Sequence, residues 1–350
     1  MAGGLVRVLV VDDSAFVRKV VKQMLTRSPF IEVVGTARDG AEALELAREL
    51  KPDVVTLDLM MPVMDGVEFL RRQMAIRPIP VVVCSITHET GAAALEAFEA
   101  GAVDFIQKPT ALATDRIHEM ADDLIAKVKA ASTVVLAQPV PPRPAPAPAR
   151  QAATAKKGGR LSAEIVVIGI STGGPQALRY LIPKFPADFP LPVAMVLHMP
   201  VGYTEMYAQR LNELSALTVT EAREGDLVQP GSVLLAPAGR HLLFARRDDQ
   251  LVHAHLDLRP VDTQHRPAVD VLFRSAADVY DGKVLGVVMT GMGNDGVAGS
   301  LHIRSKGGMI VTEAESSCVV YGMPRAVVEA GASDRSATLD NMMTTILEMM

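Results

Sequence analysis

Ser171 sits in the run Gly169-Ile170-Ser171-Thr172-Gly173-Gly174-Pro175, between the apolar stretch EIVVIG and a stretch of helical character. Gly169 to Gly173 fits the G-x-S-x-G pattern, in which a sharp strand-to-helix turn exposes a serine oxygen. Free N–H groups and the helix dipole at such a turn favour negative charge. A serine hydroxyl becomes a useful nucleophile only beside a base. His198 directly follows PVAMVL, and Asp295 lies in Thr290-Gly291-Met292-Gly293-Asn294-Asp295-Gly296, just past VLGVVM. Nucleophile, base and orienting carboxylate are thus each expected just beyond an apolar strand, as acyl transfer by a serine requires. The serine motif alone fits a structural or phosphate-cradling turn equally well. A dinucleotide site is disfavoured, because Ser171 stands where the second glycine of G-x-G-x-x-G belongs. Among the other histidines only His265, in QHRPAVD, is placed to line the same pocket. Position carries this argument, since lone histidines are more often satisfied polar residues.

A second constellation lies upstream. Asp12 and Asp13 follow VRVLVV, Asp58 ends DVVTLD, Ser85 ends PVVVCS, and Lys108-Pro109 ends DFIQKP. Clustered carboxylates repel one another unless a cation joins them, and oxygen-only ligands with water suit Mg²⁺, which also accepts phosphate oxygens. A carboxylate beside that ion can take up a phosphoryl group, and a lysine charge with a hydroxyl would hold it. Any one of these residues is explained as a helix cap. Five at one sheet edge are not.

The elements that must position both sets are legible as alternation. Short, near-continuous apolar runs alternate with amphipathic helical stretches, the mark of parallel sheets covered on both faces. Ligands in such folds bind at the carboxyl ends of strands. Between the two sets, residues 131–163 contain no acidic residue, and prolines 139, 141, 142, 144, 146 and 148 stand among alanines and arginines. Such a stretch favours an extended spacer rather than a core. The expected organisation is an N-terminal doubly wound (βα)5 domain over 5–122, a helix end and Pro/Ala-rich linker over 123–160, and a doubly wound, mostly parallel α/β hydrolytic domain over 161–350. The 350 residues suit two domains. A net charge of −5 without a basic run argues against nucleic acid. The two cysteines, Cys84 and Cys318, are far apart and suggest reduced thiols. The N-terminal apolar run is too short for a signal peptide or membrane span, which points to the cytoplasm.

The motifs VVDDS, LDLMMPVMDG and GAVDFIQKP resemble the receiver domain of two-component response regulators. The resemblance implies Asp58 as phospho-acceptor, Asp12 and Asp13 with Asp58 as Mg²⁺ ligands, Ser85 and Lys108 as switch residues, and Phe105 as the rotating aromatic. IGISTGGP, LHMP, GSVLLAPAGRH, QHRPAVDVLF and TGMGNDG resemble, in order, the chemotaxis protein-glutamate methylesterases. That resemblance implies hydrolysis of methyl esters on chemoreceptor glutamates and deamidation of certain glutamines, with no cofactor for hydrolysis. Ser171, His198 and Asp295 match the family's triad, and Thr172 and the backbone near Met292 match positions that assist at the oxyanion. The partners implied are methylated chemoreceptor cytoplasmic domains and a chemotaxis-type histidine kinase. The competing reading is a non-catalytic adaptor whose second domain only binds a partner.

Overall fold

A computed structural model of the chain describes residues 4–85, 91–108, 114–134 and 163–350; of the expected helix end and Pro/Ala-rich linker over 123–160, only 123–134 are among them. The first unit runs β1 (Val6–Val11), α1 (Ala15–Leu25), β2 (Ile31–Ala37), α2 (Gly40–Leu50), β3 (Val54–Leu57), α3 (Gly66–Ile76), β4 (Val81–Ser85), α4 (Gly91–Glu99), β5 (Asp104–Gln107) and α5 (Thr114–Ser132). Its strands pair in parallel in the order β2-β1-β3-β4-β5. Alternate strand residues point to opposite faces. Leu9 and Val11 therefore join one core with Phe69 and Leu70, while Val8 and Val10 join another with Leu25, Leu124 and Val128. This is why the strands read as unbroken apolar runs. Helix starts are fixed by side-chain acceptors: Asp39 takes the N–H groups of Ala41 and Glu42, and Asp65 takes that of Glu68.

The second unit continues with β6 (Ile165–Ile170), α6 (Gly174–Leu181), a 3₁₀ turn (Ile182–Lys184), β7 (Val193–Leu197), α7 (Thr204–Leu214), β8 (Thr218–Glu221), β9 (Ser232–Leu235), β10 (His241–Arg246) and β11 (Val252–Asp257). It closes with α8 (Val269–Val279), β12 (Val284–Val288), α9 (Val297–Ser305), β13 (Met309–Glu313), α10 (Met323–Glu329), β14 (Arg335–Ala337) and α11 (Leu339–Met349). Seven strands pair in parallel in the order β14-β13-β12-β6-β7-β9-β8. The chain moves outward from β6 in one direction through β7 and returns through β12 in the other. The crevice between them is the switch point where doubly wound sheets bind ligands. Val166 and Ile168 face one core and Ile165 and Val167 the other.

Four strands have no clear signal in the sequence. β8 is an edge strand with alternating exposed threonines, and β14 spans only three residues. β10 and β11 form an antiparallel hairpin whose strands carry three histidines and lie outside the main sheet. In the C-terminal helix Met342 and Met343 pack inward and are buried.

The two units touch along α4, β5 and α5 on one side and the β6–β7 edge on the other. Gln176 Nε2 donates to the Ala102 carbonyl at 3.0 Å, and the Phe105 and Tyr203 rings meet at 4.9 Å. Glu99 of α4 accepts from Arg210 Nε at 2.8 Å and lies 3.4 Å from Arg179.

Candidate active site

The chain leaves β6 through a turn in which Gly173 takes φ +78°, a left-handed conformation that favours glycine, and α6 begins at once with Gly174-Pro175. Ser171 is held in this turn by its own N–H, which donates to the Thr290 carbonyl at 3.0 Å. Thr290 braces the turn again, since its hydroxyl donates to the Thr172 carbonyl at 2.9 Å. Its own N–H is held by the fully buried carboxylate of Glu313 at 2.9 Å. Burial pushes the Glu313 carboxyl upward. Thr290 and Glu313 are positioning residues that strand periodicity alone leaves invisible, because each reads as the ordinary end of an apolar strand.

His198 follows β7, and its N–H donates to the Ile170 carbonyl at 3.1 Å, which seats it beside the serine turn. Asp295 arrives from the far side, after β12. Its Oδ2 lies 2.9 Å from His198 Nε2. Burial raises the Asp295 carboxyl, but the His198 hydrogen bond and charge, with the N–H groups of Asp270 and Val269, bring it below the ordinary carboxylate value. His198 Nδ1 is buried and without a hydrogen-bond partner. With Nε2–H committed to Asp295, Nδ1 is the nitrogen left to accept a proton. No hydrogen bond joins it to Ser171 Oγ in this conformation, a contact that often tightens only when substrate binds. His265 stacks on His198 with ring centroids 4.0 Å apart. Burial, then the neighbouring His198, hold His265 down to about 4.

Ser171, Thr172, His198, His265 and Met292 line one cleft of about 980 Å³. Among the described residues the backbone N–H groups of Thr172 and Met292 have no acceptor, whereas that of Gly173 donates to the Val103 carbonyl of the first unit at 3.1 Å. Of the N–H groups of the serine turn, that of Thr172 is therefore left without an acceptor, as is that of Met292 on the same cleft. The Thr172 hydroxyl donates to Asp104 Oδ2, a carboxylate of β5. Asp104 Oδ1 also accepts from Lys127 Nζ of α5 at 2.9 Å. The first unit thus forms the opposite wall of the cleft, with Ile106, Met120 and Asp123 among its lining.

The upstream set also converges. Asp12, Asp13 and Asp58 bring one oxygen each within 4.8 Å of one another, an oxygen-only group of the kind Mg²⁺ takes. Lys108 Nζ lies 2.5 Å from Asp12 and 2.7 Å from Asp58. Burial raises the Asp58 carboxyl, partly opposed by Lys108. The Lys108 ammonium is held above its usual value by both aspartates despite its burial. Ser85 ends β4 fully buried, and its carbonyl accepts from Lys108 N at 2.8 Å. Phe105, one residue from Asp104, is buried against Tyr203 of the second unit.

Residues 166–346 match the family model described as CheB methylesterase, and residues 8–122 match that of the response regulator receiver domain. A protein-glutamate methylesterase/protein-glutamine glutaminase of Myxococcus xanthus is 51% identical over 342 residues, covering 97% of each chain. One from Symbiobacterium thermophilum is 49% identical, covering 94% of this chain and 92% of its own. The crystal structure of the CheB methylesterase catalytic domain of Thermotoga maritima superposes with a TM-score of 0.52 at 40% identity, covering 54% of this chain and all of that one. The chain carries a receiver domain ahead of a methylesterase domain, and it belongs to the protein-glutamate methylesterase/protein-glutamine glutaminase family.

Proposed function

We propose that the chain hydrolyses glutamate methyl esters on chemoreceptor cytoplasmic domains, and deamidates particular receptor glutamines, through Ser171 under the control of Asp58 phosphorylation. The observation that supports this reading is the Asp295–His198 pair, in which Nδ1 is left without a hydrogen-bond partner on a histidine that lines the same cleft as Ser171. His198 Nδ1 takes the Ser171 proton as Oγ bonds to the glutamyl carbonyl carbon. The carbonyl oxygen becomes an oxyanion held by the N–H groups of Thr172 and Met292, a contribution of roughly 10²–10³-fold per donor. As the tetrahedral species collapses, the C–O or C–N bond breaks and His198 returns the proton to methanol or ammonia. Water, deprotonated by His198, then opens the acyl-serine and leaves a glutamate carboxylate. Asp295 fixes the imidazole tautomer and stabilises its charged form throughout.

Asp12, Asp13 and Asp58 would hold Mg²⁺, which supplies charge neutralisation for phosphoryl transfer to Asp58; a chemotaxis-type histidine kinase is the proposed donor. Lys108 and Ser85 would hold the phosphoryl group afterwards. In the conformation described, Asp104 and Val103 occupy the Thr172 hydroxyl and the Gly173 N–H, which supports a resting state closed by the receiver. Phosphorylation acts on this pair only by favouring an open arrangement over the closed one. No helix among the described residues is long and apolar enough to cross a membrane, and a cytoplasmic site of action fits the proposed substrates. Methanol release from a methylated receptor fragment tests the reading: the intact chain should release it with Mg²⁺ and a small phosphodonor, and the Ser171→Ala chain should not. Equal release by both would remove Ser171 as nucleophile.

A further inference from the structure

Two aspartates exchange helix caps beside the cleft, and only one of them has been given a role above. Asp295 Oδ2 accepts from Val269 N at 2.7 Å, and its Oδ1 from Asp270 N at 2.9 Å, so Asp295 caps α8. In return Asp270 Oδ1 accepts from Gly296 N at 3.0 Å and Gly299 N at 2.6 Å, so Asp270 caps α9. The N-cap residues themselves, Ala268 and Gly296, supply no side-chain acceptor. Free N–H groups at each helix start are therefore met by an aspartate from the neighbouring segment, Asp295 from the loop before α9 and Asp270 from α8. The exchange needs close approach: a Cβ on Gly299 would lie 2.6 Å from Phe273 Cβ and 3.1 Å from Asp270 Cα. Capping alone is served by serine or asparagine as well as by aspartate. What is particular here is that Asp270 grips the residue after Asp295, whose Oδ2 holds His198 Nε2.

We infer that Asp270 is a positioning residue for the hydrolytic reaction, holding the Asn294–Gly296 loop so that Asp295 Oδ2 meets His198 Nε2. The inference rests on the proposed role of Ser171, His198 and Asp295. Without Asp270, the Gly296 and Gly299 N–H groups lose their acceptor and the loop carrying Asp295 loses its anchor. Asp295 then no longer fixes the proton on Nε2. Asp270 touches no reacting atom and acts only through Asp295.

The test uses the full chain with Mg²⁺ and a small phosphodonor, acting on a methylated receptor fragment. Asp270→Ala should lower kcat by about 10–100-fold, the size of effect seen when outer partners that orient metal-ligating side chains are lost, with little change in KM. Asp270→Asn keeps an acceptor oxygen for both N–H groups and should restore most of kcat. Nitrogen-15 NMR of histidine-labelled protein, which needs no turnover, should show the His198 proton fixed on Nε2 in the unaltered and Asp270→Asn chains and redistributed in Asp270→Ala. Should Asp270→Ala fail to fold, Asp270→Ser, with one shorter acceptor, is read in the same way. Normal kcat with unaltered His198 signals in the Ala or Ser variant would reduce Asp270 to a helix cap. An Asn variant as impaired as Ala would overturn the hydrogen-bond argument. An unaltered chain that releases no methanol would instead sink the hydrolase reading, leaving the NMR result to judge Asp270 by itself.

Discussion

At the cleft, burial opposes the charge on Asp295, and three specific partners restore it: His198 and the N–H groups of Val269 and Asp270, which form the positive end of α8. Replacing the carboxylate by an amide keeps the shape and spoils the tautomer. Asp295→Asn should lower kcat by on the order of 10⁴-fold; a loss below tenfold would contradict the orienting role. His265 makes a separate prediction through linkage. Its folded value, about 4, lies below the ordinary histidine value, so at pH between about 4 and 6.5 the unfolded chain binds a proton that the folded chain refuses. Stability should therefore fall as pH drops through that window, by up to roughly 3 kcal/mol for this residue alone. His265→Gln should flatten the slope in denaturant titrations, and an unchanged slope would be contrary. Ser171, His198 and Asp295 were legible because each falls just past an apolar strand. Asp270, Thr290 and Glu313 were not, because their roles depend on which loop lies opposite, which no local pattern records.

At the scale of elements, β5 and α5 perform two tasks with adjacent residues. Lys108, just after β5, meets Asp12 and Asp58, whereas Asp104 begins the strand on the Thr172 hydroxyl. A hydrogen bond to a charged group contributes about 1.5–3 kcal/mol, so Asp104→Asn should shift the closed state toward the open one by roughly tenfold or more. The expected result is higher methanol release without phosphodonor and weaker stimulation with it; an unchanged basal rate would show that this contact does not restrain the enzyme. Chelating divalent cations should abolish stimulation by the phosphodonor and leave the basal rate alone, since hydrolysis is assigned no metal. Stimulation that survives chelation would count against the carboxylate cluster as a cation site. The parallel strands of both sheets were readable from their apolar continuity. β8 and the β10–β11 hairpin were hidden because exposed threonines in the one and polar histidines in the other break their pattern.

At the scale of the whole molecule, the receiver face and the cleft are one surface: a buried aromatic pair, a carbonyl on Gly173 N and a half-exposed charge cluster at Glu99. Exposed ion pairs contribute only about 0.2–1 kcal/mol each, whereas reversal places like charges together. Glu99→Arg, facing Arg179 and Arg210, should therefore raise basal hydrolysis, most at low salt; a rate that ignores both the reversal and the salt would place the closed contact elsewhere. Which residues make this contact was not legible from the chain, because partners such as Glu99 and Arg210, 111 positions apart, meet only after both sheets have formed. The central claim is that one serine removes both methyl and amide groups from receptor side chains. Its most direct test is mass spectrometry of a methylated, glutamine-bearing chemoreceptor fragment after incubation with the full chain, Mg²⁺ and a small phosphodonor. The intact protein should convert both the esters and the glutamines to glutamate, and Ser171→Ala should lose both conversions together. Conversion that persists in Ser171→Ala, or loss of one activity without the other, would contradict it.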